Sequence, residues 1–180
     1  QEHPAEIEKS SAAGIIDACN LFDPHTLNGM RARYTGIGRG HKAPSEALVD
    51  VTVKGFRAVE MGVAHFGRID VLLNNAGFGL LGAVEESSDA EVRRMFDTNV
   101  FGLLNVTRAV LPKLRAQRSG HVINVSSIGG FRGSAGFGVY CSTKFAVEGL
   151  TEALHAELVP LGIHATVIEP GYFRTDFLDA

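Results

Sequence analysis

The sequence predicts an α/β fold, a doubly wound parallel sheet with helices on both faces. Three observations carry that prediction. Short apolar runs alternate with longer stretches of helical period, the pattern of successive βαβ units. The runs are continuously apolar rather than alternating, as for strands buried on both faces. Glycine is in excess, 21 of 180 residues against a usual share of about 7%. Its clusters fall between apolar runs, where tight loops would leave strand ends.

The remaining composition is that of a globular domain, 45% hydrophobic and 21% charged. The whole chain, 1–180, reads as one domain of sufficient length for a sizeable core. Residues 1–46 are atypical and 47–180 are regular. A formal net charge of -3 points away from a nucleic-acid partner and from a membrane-surface sheath. No apolar run approaches the roughly 20 residues of a membrane span. The opening segment Gln1–Ser10 is polar and acidic, without the look of a secretory leader. Cys19 and Cys141 lie far apart and lack metal-site spacing, which suits free thiols in a reducing, cytoplasmic setting. The seven histidines likewise show no paired metal spacing.

The elements follow in order. Gln1–Arg33 shows no convincing period; Ile15, Ile16 and Leu21 leave a helix open, interrupted by Pro24, Asn28 and Gly29. Met30–Tyr34 is a weak strand, followed by a glycine cluster from Gly36 to Gly40. Ala47–Val51 is a short apolar run of strand type. Phe56, Val59, Val63 and Phe66 recur at helical spacing, and Gly67 ends that helix. Ile69–Leu73 is a strand, with a loop over Asn74–Gly82. Ser88 followed by Glu91 is a capping box, opening one long helix toward Arg115. Gly120 breaks it. Val122–Val125 is the next strand, leading into a glycine-rich loop from Ser126 to Gly138. A helix over Val139–Val159 is stopped by Pro160 and Gly162. Ala165–Ile168 is a strand ended by Pro170-Gly171. In a doubly wound sheet the loops at Gly36, Asn74, Ser126 and Pro170 should converge beyond the carboxyl ends of the strands.

Within that crevice one pair stands out. Tyr140 and Lys144 are four apart and share a helix face. A phenol ionises near pH 10, and a nearby ammonium favours the phenolate. A fall of three units needs about 4 kcal/mol of differential stabilisation. The lysine, assisted by a cationic cofactor ring, could supply it. On a solvated helix such a pair is commonplace, so context decides. Ser127 lies thirteen positions earlier, at a strand end, where its hydroxyl could hold a carbonyl oxygen. It could equally serve the turn alone. Asn74-Asn75-Ala76-Gly77 follows another strand, with small residues that let a flat ligand approach. Asn99 falls inside a helical pattern that disfavours asparagine, so it must face water or bond locally. Phe131, Phe137, Tyr172, Phe173 and Phe177 flank the crevice and could line an apolar pocket.

Taken as a set, Asn74-Asn75-Ala76-Gly77, Asn99, Ser127, Tyr140 with Lys144, and Pro170-Gly171 followed by Thr175 resemble the short-chain dehydrogenase/reductase family. The resemblance runs from about Leu48 to Asp179. The stretch Tyr140–Leu150 is most similar to the hydroxysteroid and retinol dehydrogenase branch. The resemblance implies a Rossmann-like fold and an oxidoreductase using NAD or NADP, the choice between them open. It implies interconversion of an alcohol with a ketone or aldehyde, on a small and lipophilic substrate. Tyr140 would be the general acid/base. Lys144 would lower its pKa and hold the nicotinamide ribose. Ser127 would orient the carbonyl, and Asn99 would anchor a water leading from Lys144 to solvent. Gly36, Ile37 and Gly38 would match the end of the phosphate loop. Asp50 would lie near the adenine, Asn75, Ala76 and Gly77 along the adenosine, and Thr175 at the carboxamide. A homodimer or homotetramer is implied, with Ser88–Arg115 and Val139–Val159 as contact surfaces.

The sequence departs from the family pattern at Thr35-Gly36-Ile37-Gly38-Arg39-Gly40, whose glycine spacing is too short. Only ten steps separate Gly40 from Asp50, whereas a βαβ unit needs about 30 residues or more. The fold is therefore expected to be incomplete, without a second strand unit and without its C-terminal end. An alternative function follows from the damaged glycine loop: a cofactor-impaired relative that serves as a binding or regulatory scaffold. The intact Asn99, Ser127, Tyr140 and Lys144 set weighs against it.

Overall fold

The computed structural model describes residues 13–17, 32–36 and 58–172. Its sheet has five strands in the order β2-β1-β3-β4-β5. They are β1 (Ala13–Asp17), β2 (Ala32–Gly36), β3 (Val71–Asn74), β4 (Gly120–Val125) and β5 (Ile163–Ile168). Every pairing is parallel. From β1 the chain steps outward to β2, then returns to the other side of β1 and continues through β3, β4 and β5. This is the doubly wound arrangement the sequence predicts. Its order reverses between β1 and β3, so the crevice opens beyond the carboxyl ends of those two strands.

The described residues 13–17 and 32–36 are more regular than their sequence suggests. Ile15 and Ile16, open to a helical reading, are strand residues, in register with Val71 and Leu72. Two adjacent branched side chains favour extended backbone, and a five-residue run is too short to show a period. The weak strand at Met30–Tyr34 is β2, shifted two residues on. Thr35 and Gly36 thus close an edge strand of the described sheet, with β1 between them and β3. The glycine cluster is entered from that edge and not from the strand beside the switch point. The run Ala47–Val51 lies outside the described residues.

From here the sequence signals hold closely. Helix α1 covers 58–66 and ends at Gly67, whose φ of 81° is left-handed and whose N–H bonds the Val63 carbonyl at 2.8 Å. Helix α2 (Asp89–Phe96) opens on the predicted capping box. Ser88 Oγ accepts the Glu91 N–H at 3.3 Å, and the Glu91 carboxylate accepts the Ser88 N–H at 2.9 Å. The single helix expected toward Arg115 is in fact three pieces. A widened π-helical turn, Asp97–Gly102, separates α2 from α3 (Leu103–Gln117). Arg118, in left-handed conformation at φ 52°, ends α3; Gly120, assigned that task from the sequence, instead opens β4. Helix α4 (Gly138–Leu158) leads into a short 3-10 turn, Val159–Leu161, and Gly162 reverses the chain at φ 74°. A side chain at Gly162 would meet the Arg118 carbonyl oxygen at 2.7 Å.

The core packs Leu72, Val122, Ile163 and Ala165 of the sheet with Val106, Val110 and Leu114 of α3 and Leu154 and Leu158 of α4. A polar seam crosses it. Asn74 Nδ2 donates to Thr107 Oγ1 and to Asn124 Oδ1, both at 2.9 Å. Asn124 Nδ2 donates to Thr151 Oγ1 at 2.9 Å, and that hydroxyl donates to the Val147 carbonyl at 2.6 Å. All four side chains are buried. The seam fixes β3 and β4 against α3 and α4 just below the crevice.

Two predictions follow from the packing. Asn124→Ala strands a buried donor on Asn74 and should cost about 1–3 kcal/mol in urea unfolding, with the fold retained. His121 donates to or accepts from Thr166 Oγ1 at 2.7 Å and lies beside His164. Burial, then the charge of His164, hold its pKa below the usual histidine value. The unfolded chain binds this proton more readily, so the contribution is complete above about pH 6.5 and lost as pH falls through the lowered native value. Between neutral pH and pH 5, His121→Gln should show a shallower loss of stability than the parent in denaturant titrations.

Candidate active site

The site forms where β3 and β4 end and α4 begins. Tyr140 and Lys144 project from the first two turns of α4, and both are buried. The Lys144 ammonium reaches back to the end of β4, donating to the Val125 carbonyl at 2.9 Å. It lies 5.7 Å from the centre of the Tyr140 ring. Phe137 meets the same ring edge-on, with centroids 6.4 Å apart. Cys141, Met95, Phe78 and Leu80 join this apolar wall. Cys141 is a buried free thiol.

Ser127 is the second residue of the loop after β4. Its backbone is extended, and its Oγ accepts the Gly129 N–H at 3.1 Å, capping the 3-10 turn Ile128–Gly130. The turn role is therefore real, and the same hydroxyl also bonds the Tyr140 phenol. Gly129 makes this approach possible: a Cβ there would stand 3.3 Å from the Tyr140 ring and from Cys141 Sγ. Burial raises the Tyr140 pKa above its ordinary value, and the Ser127 hydrogen bond offsets part of the rise. The lowering expected from Lys144 is not what governs the phenol here. The ammonium is directed at the Val125 carbonyl, and desolvation of the phenolate dominates.

Asn99 occupies the middle of the widened turn and is 1% exposed. Of its two sequence-level alternatives, water or a local bond, the structure shows a bond to neighbouring elements. Its Oδ1 accepts the Phe78 N–H at 3.1 Å, and its Nδ2 donates to the Phe78 carbonyl at 3.1 Å and to Thr143 Oγ1 at 3.1 Å. Thr143 donates onward to the Tyr140 carbonyl at 2.7 Å. Gly77 lies directly over this arrangement. A Cβ there would come 3.2 Å from Asn99 Oδ1 and 3.5 Å from Lys144 Nζ. A flat ligand could reach the lysine only past such a bare backbone. The Nδ2 of Asn75 is buried without a hydrogen-bond partner among the described residues.

The structure thus brings Asn75, Ala76, Gly77, Asn99, Ser127, Tyr140 and Lys144 to one end of the sheet. Gly36 ends β2 at the same end, two strands away from β3. Ile37, Gly38, Asp50 and Thr175 lie outside the described residues, as do Phe173 and Phe177. Phe131 and Tyr172 are exposed beside the site. Sequence reasoning missed Thr143, Gly129 and the Val125 carbonyl. Thr143 carried a faint signal, a threonine three residues after Tyr140 on the same helix; a main-chain carbonyl carries none.

The opposed effects on the phenol can be separated by titration. The Tyr140 phenolate band near 295 nm, obtained by difference from Tyr140→Phe, should develop above pH 10, and Ser127→Ala should move it higher still. A downward shift in that variant would contradict the assigned hydrogen bond.

Comparison with known proteins bears on the family and the fold. A family model described as short chain dehydrogenase matches residues 46–180. The chain is similar to a 3-ketodihydrosphingosine reductase of Bacteroides thetaiotaomicron, 46% identical over 172 residues, covering 94% of this chain and 63% of the reductase. It therefore spans less than two thirds of that relative. Among solved structures, a short-chain dehydrogenase from Streptomyces avermitilis superposes with a TM-score of 0.80 at 34% identity, over 93% of this chain and 68% of that one. A gluconate 5-dehydrogenase from Burkholderia cenocepacia, in complex with NADP and tartrate, gives 0.75 at 26% identity, over 92% and 63%. With three quarters of its length matched by the family model and its fold shared with the Streptomyces enzyme, the chain belongs to the short-chain dehydrogenase family.

Proposed function

We propose that the protein is an NAD(P)-dependent oxidoreductase that interconverts an alcohol and a ketone or aldehyde, with Tyr140 as general acid/base. One observation carries the reading: a buried phenol bonded by Ser127 shares a helix face with a buried ammonium, under a backbone that Gly77 leaves bare. The NADP-bound dehydrogenase with the same fold supports a nicotinamide cofactor, and preference between NAD and NADP stays open. Asn75, Ala76, Gly77 and Lys144 would hold it, together with Gly36, Ile37, Gly38, Asp50 and Thr175. When bound, the nicotinamide supplies or accepts the hydride.

The chain's own residues handle the proton. In reduction, Ser127 Oγ orients the substrate carbonyl, and Tyr140 Oη gives its proton to the oxygen as the alcohol forms. In oxidation Tyr140 takes that proton back. A phenol kept protonated by burial is ready for the first direction. Lys144 stabilises the negative charge that develops on the phenolate, and Asn99 keeps the lysine's surroundings in register. The exposed Phe131 and Tyr172, with Leu81 and Val84 nearby in the β3 loop, favour a lipophilic substrate. The similar protein is named a 3-ketodihydrosphingosine reductase, which supports a ketone as the substrate.

The proposal extends to the assembly. It is a homodimer or homotetramer joined through α2–α3 and α4, where Phe101 and Phe145 are about half exposed. The chain is read as one Rossmann-type domain, 1–180, in the cytoplasm, a setting that suits the free thiol of Cys141. No helix among the described residues is long and apolar enough to cross a membrane.

Tyr140→Phe should lower turnover by roughly 10²–10⁴-fold while NADH and NADPH titrations, followed by nicotinamide fluorescence, show unchanged affinity. Absence of saturable binding by either nucleotide would remove the enzyme reading and favour the scaffold.

A further inference from the structure

Two buried polar atoms behind the catalytic loop have no hydrogen-bond partner among the described residues: Ser126 Oγ and Glu148 Oε1. They come from different elements. Ser126 follows β4 directly, one residue before Ser127, and is 3% exposed. Glu148 is on α4, one helical step of four beyond Lys144 and two beyond Tyr140, so it continues the same face. Both atoms crowd a single point, the position a Cβ would take on Gly130. Glu148 Oε1 lies 2.7 Å from that point, and Ser126 Oγ is closer still. A hydroxyl can donate, and a carboxylate oxygen can only accept. Two complementary atoms that reach one point without bonding each other can be joined through a single water. Gly130, lacking a side chain, leaves the room. Buried polar groups are rarely left unmade, so the pairing is the economical resolution of both orphans.

We propose that Glu148 is a positioning residue: its buried carboxylate oxygen is linked to the Ser126 hydroxyl through one water, and so fastens the Ser126–Phe131 loop to α4. The loop's main-chain bonds tie it to the β5 side: Ser126 N–H bonds the Ile168 carbonyl at 2.7 Å, and Ile128 N–H bonds the Pro170 carbonyl at 3.2 Å. Toward α4 it is held by the Ser127–Tyr140 bond, and the Glu148 contact adds a second tie to that helix. It fixes Ser127, on the loop, relative to Tyr140, on the helix. The catalytic consequence rests on the function proposed above; the loop contact does not.

Hydrogen exchange in the intact protein tests the contact. Glu148→Ala should speed exchange of the Gly129, Gly130 and Phe131 amides by about tenfold, with amides of β5 and α3 unchanged. Glu148→Gln, which keeps an acceptor oxygen, should restore wild-type protection. Ser126→Ala should match Glu148→Ala, and the double variant should add nothing further. With 2-dodecanone as probe and the nicotinamide that binds, Glu148→Ala should lower kcat and leave KM for the nucleotide unchanged. Wild-type exchange in Glu148→Ala would overturn the inference. So would uniform acceleration across the protein, or a glutamine variant that behaves like alanine. A wild-type protein without turnover on the probe would count against the proposed function, and the exchange pattern would still decide the role of Glu148.

Discussion

The carboxamide of Asn99 can be satisfied only if three separate pieces of chain meet around it. Its oxygen needs the N–H of Phe78, from the loop after β3, and its nitrogen needs the Phe78 carbonyl and the Thr143 hydroxyl of α4. With the residue 1% exposed, an unmet amide there is costly. Asn99 lies within the widened turn Asp97–Gly102, the kind of helical irregularity that often accompanies a functional site. Thr143, bonded by Asn99, bonds the Tyr140 carbonyl in turn. One amide thereby sets the height of the β3 loop, the start of α3 and the first turn of α4.

Around that joint the electrostatics of the phenol are a contest between burial and hydrogen bonding. Burial in the wall of Phe137, Cys141 and Met95 favours the neutral form, and Ser127 favours the ionised form. Burial prevails. The ammonium of Lys144 has its own anchor on the Val125 carbonyl, at the end of β4. The protein therefore holds a protonated acid beside a fixed cation. The phenol keeps its proton until a substrate oxygen competes for it, and the cation is already in place to receive the charge left behind.

Much of this was legible in the sequence, and the pattern of what was not is instructive. Gly67, the Ser88–Glu91 box, strand β4 and helix α4 were readable because a local signal of period, cap or breaker coincided with the element. Tyr140, Lys144, Ser127 and Asn99 were readable as a set because side-chain types at fixed spacing carry chemistry. The π-helical turn was not, since Asn99 announces only that something is unusual, and the remedy depends on Phe78 and Thr143. The termination of α3 at Arg118 was assigned to Gly120, because left-handed conformation in an arginine has no sequence mark, whereas glycine invites it. Strand β1 was ambiguous because five residues hold too little periodicity, and its identity is settled by its two neighbours in the sheet.

Gly162 and Arg118 meet at the amino-terminal end of the sheet, opposite the site. There the exit from α4 passes so close to the exit from α3 that no side chain fits between them. The two crossovers are thus wedged together at one end, while at the other the loops from Phe78 to Glu86 and from Phe131 to Phe137 meet through the Gly82 N–H and the Gly136 carbonyl at 3.0 Å. The molecule divides into a rigid foot and an interchangeable head. Specificity can be rewritten by grafting longer or shorter head loops from a relative, provided the Arg118–Gly120 and Gly162 turns are left intact, because an insertion at the foot would pry the two helices from the sheet that aligns Tyr140 with Ser127.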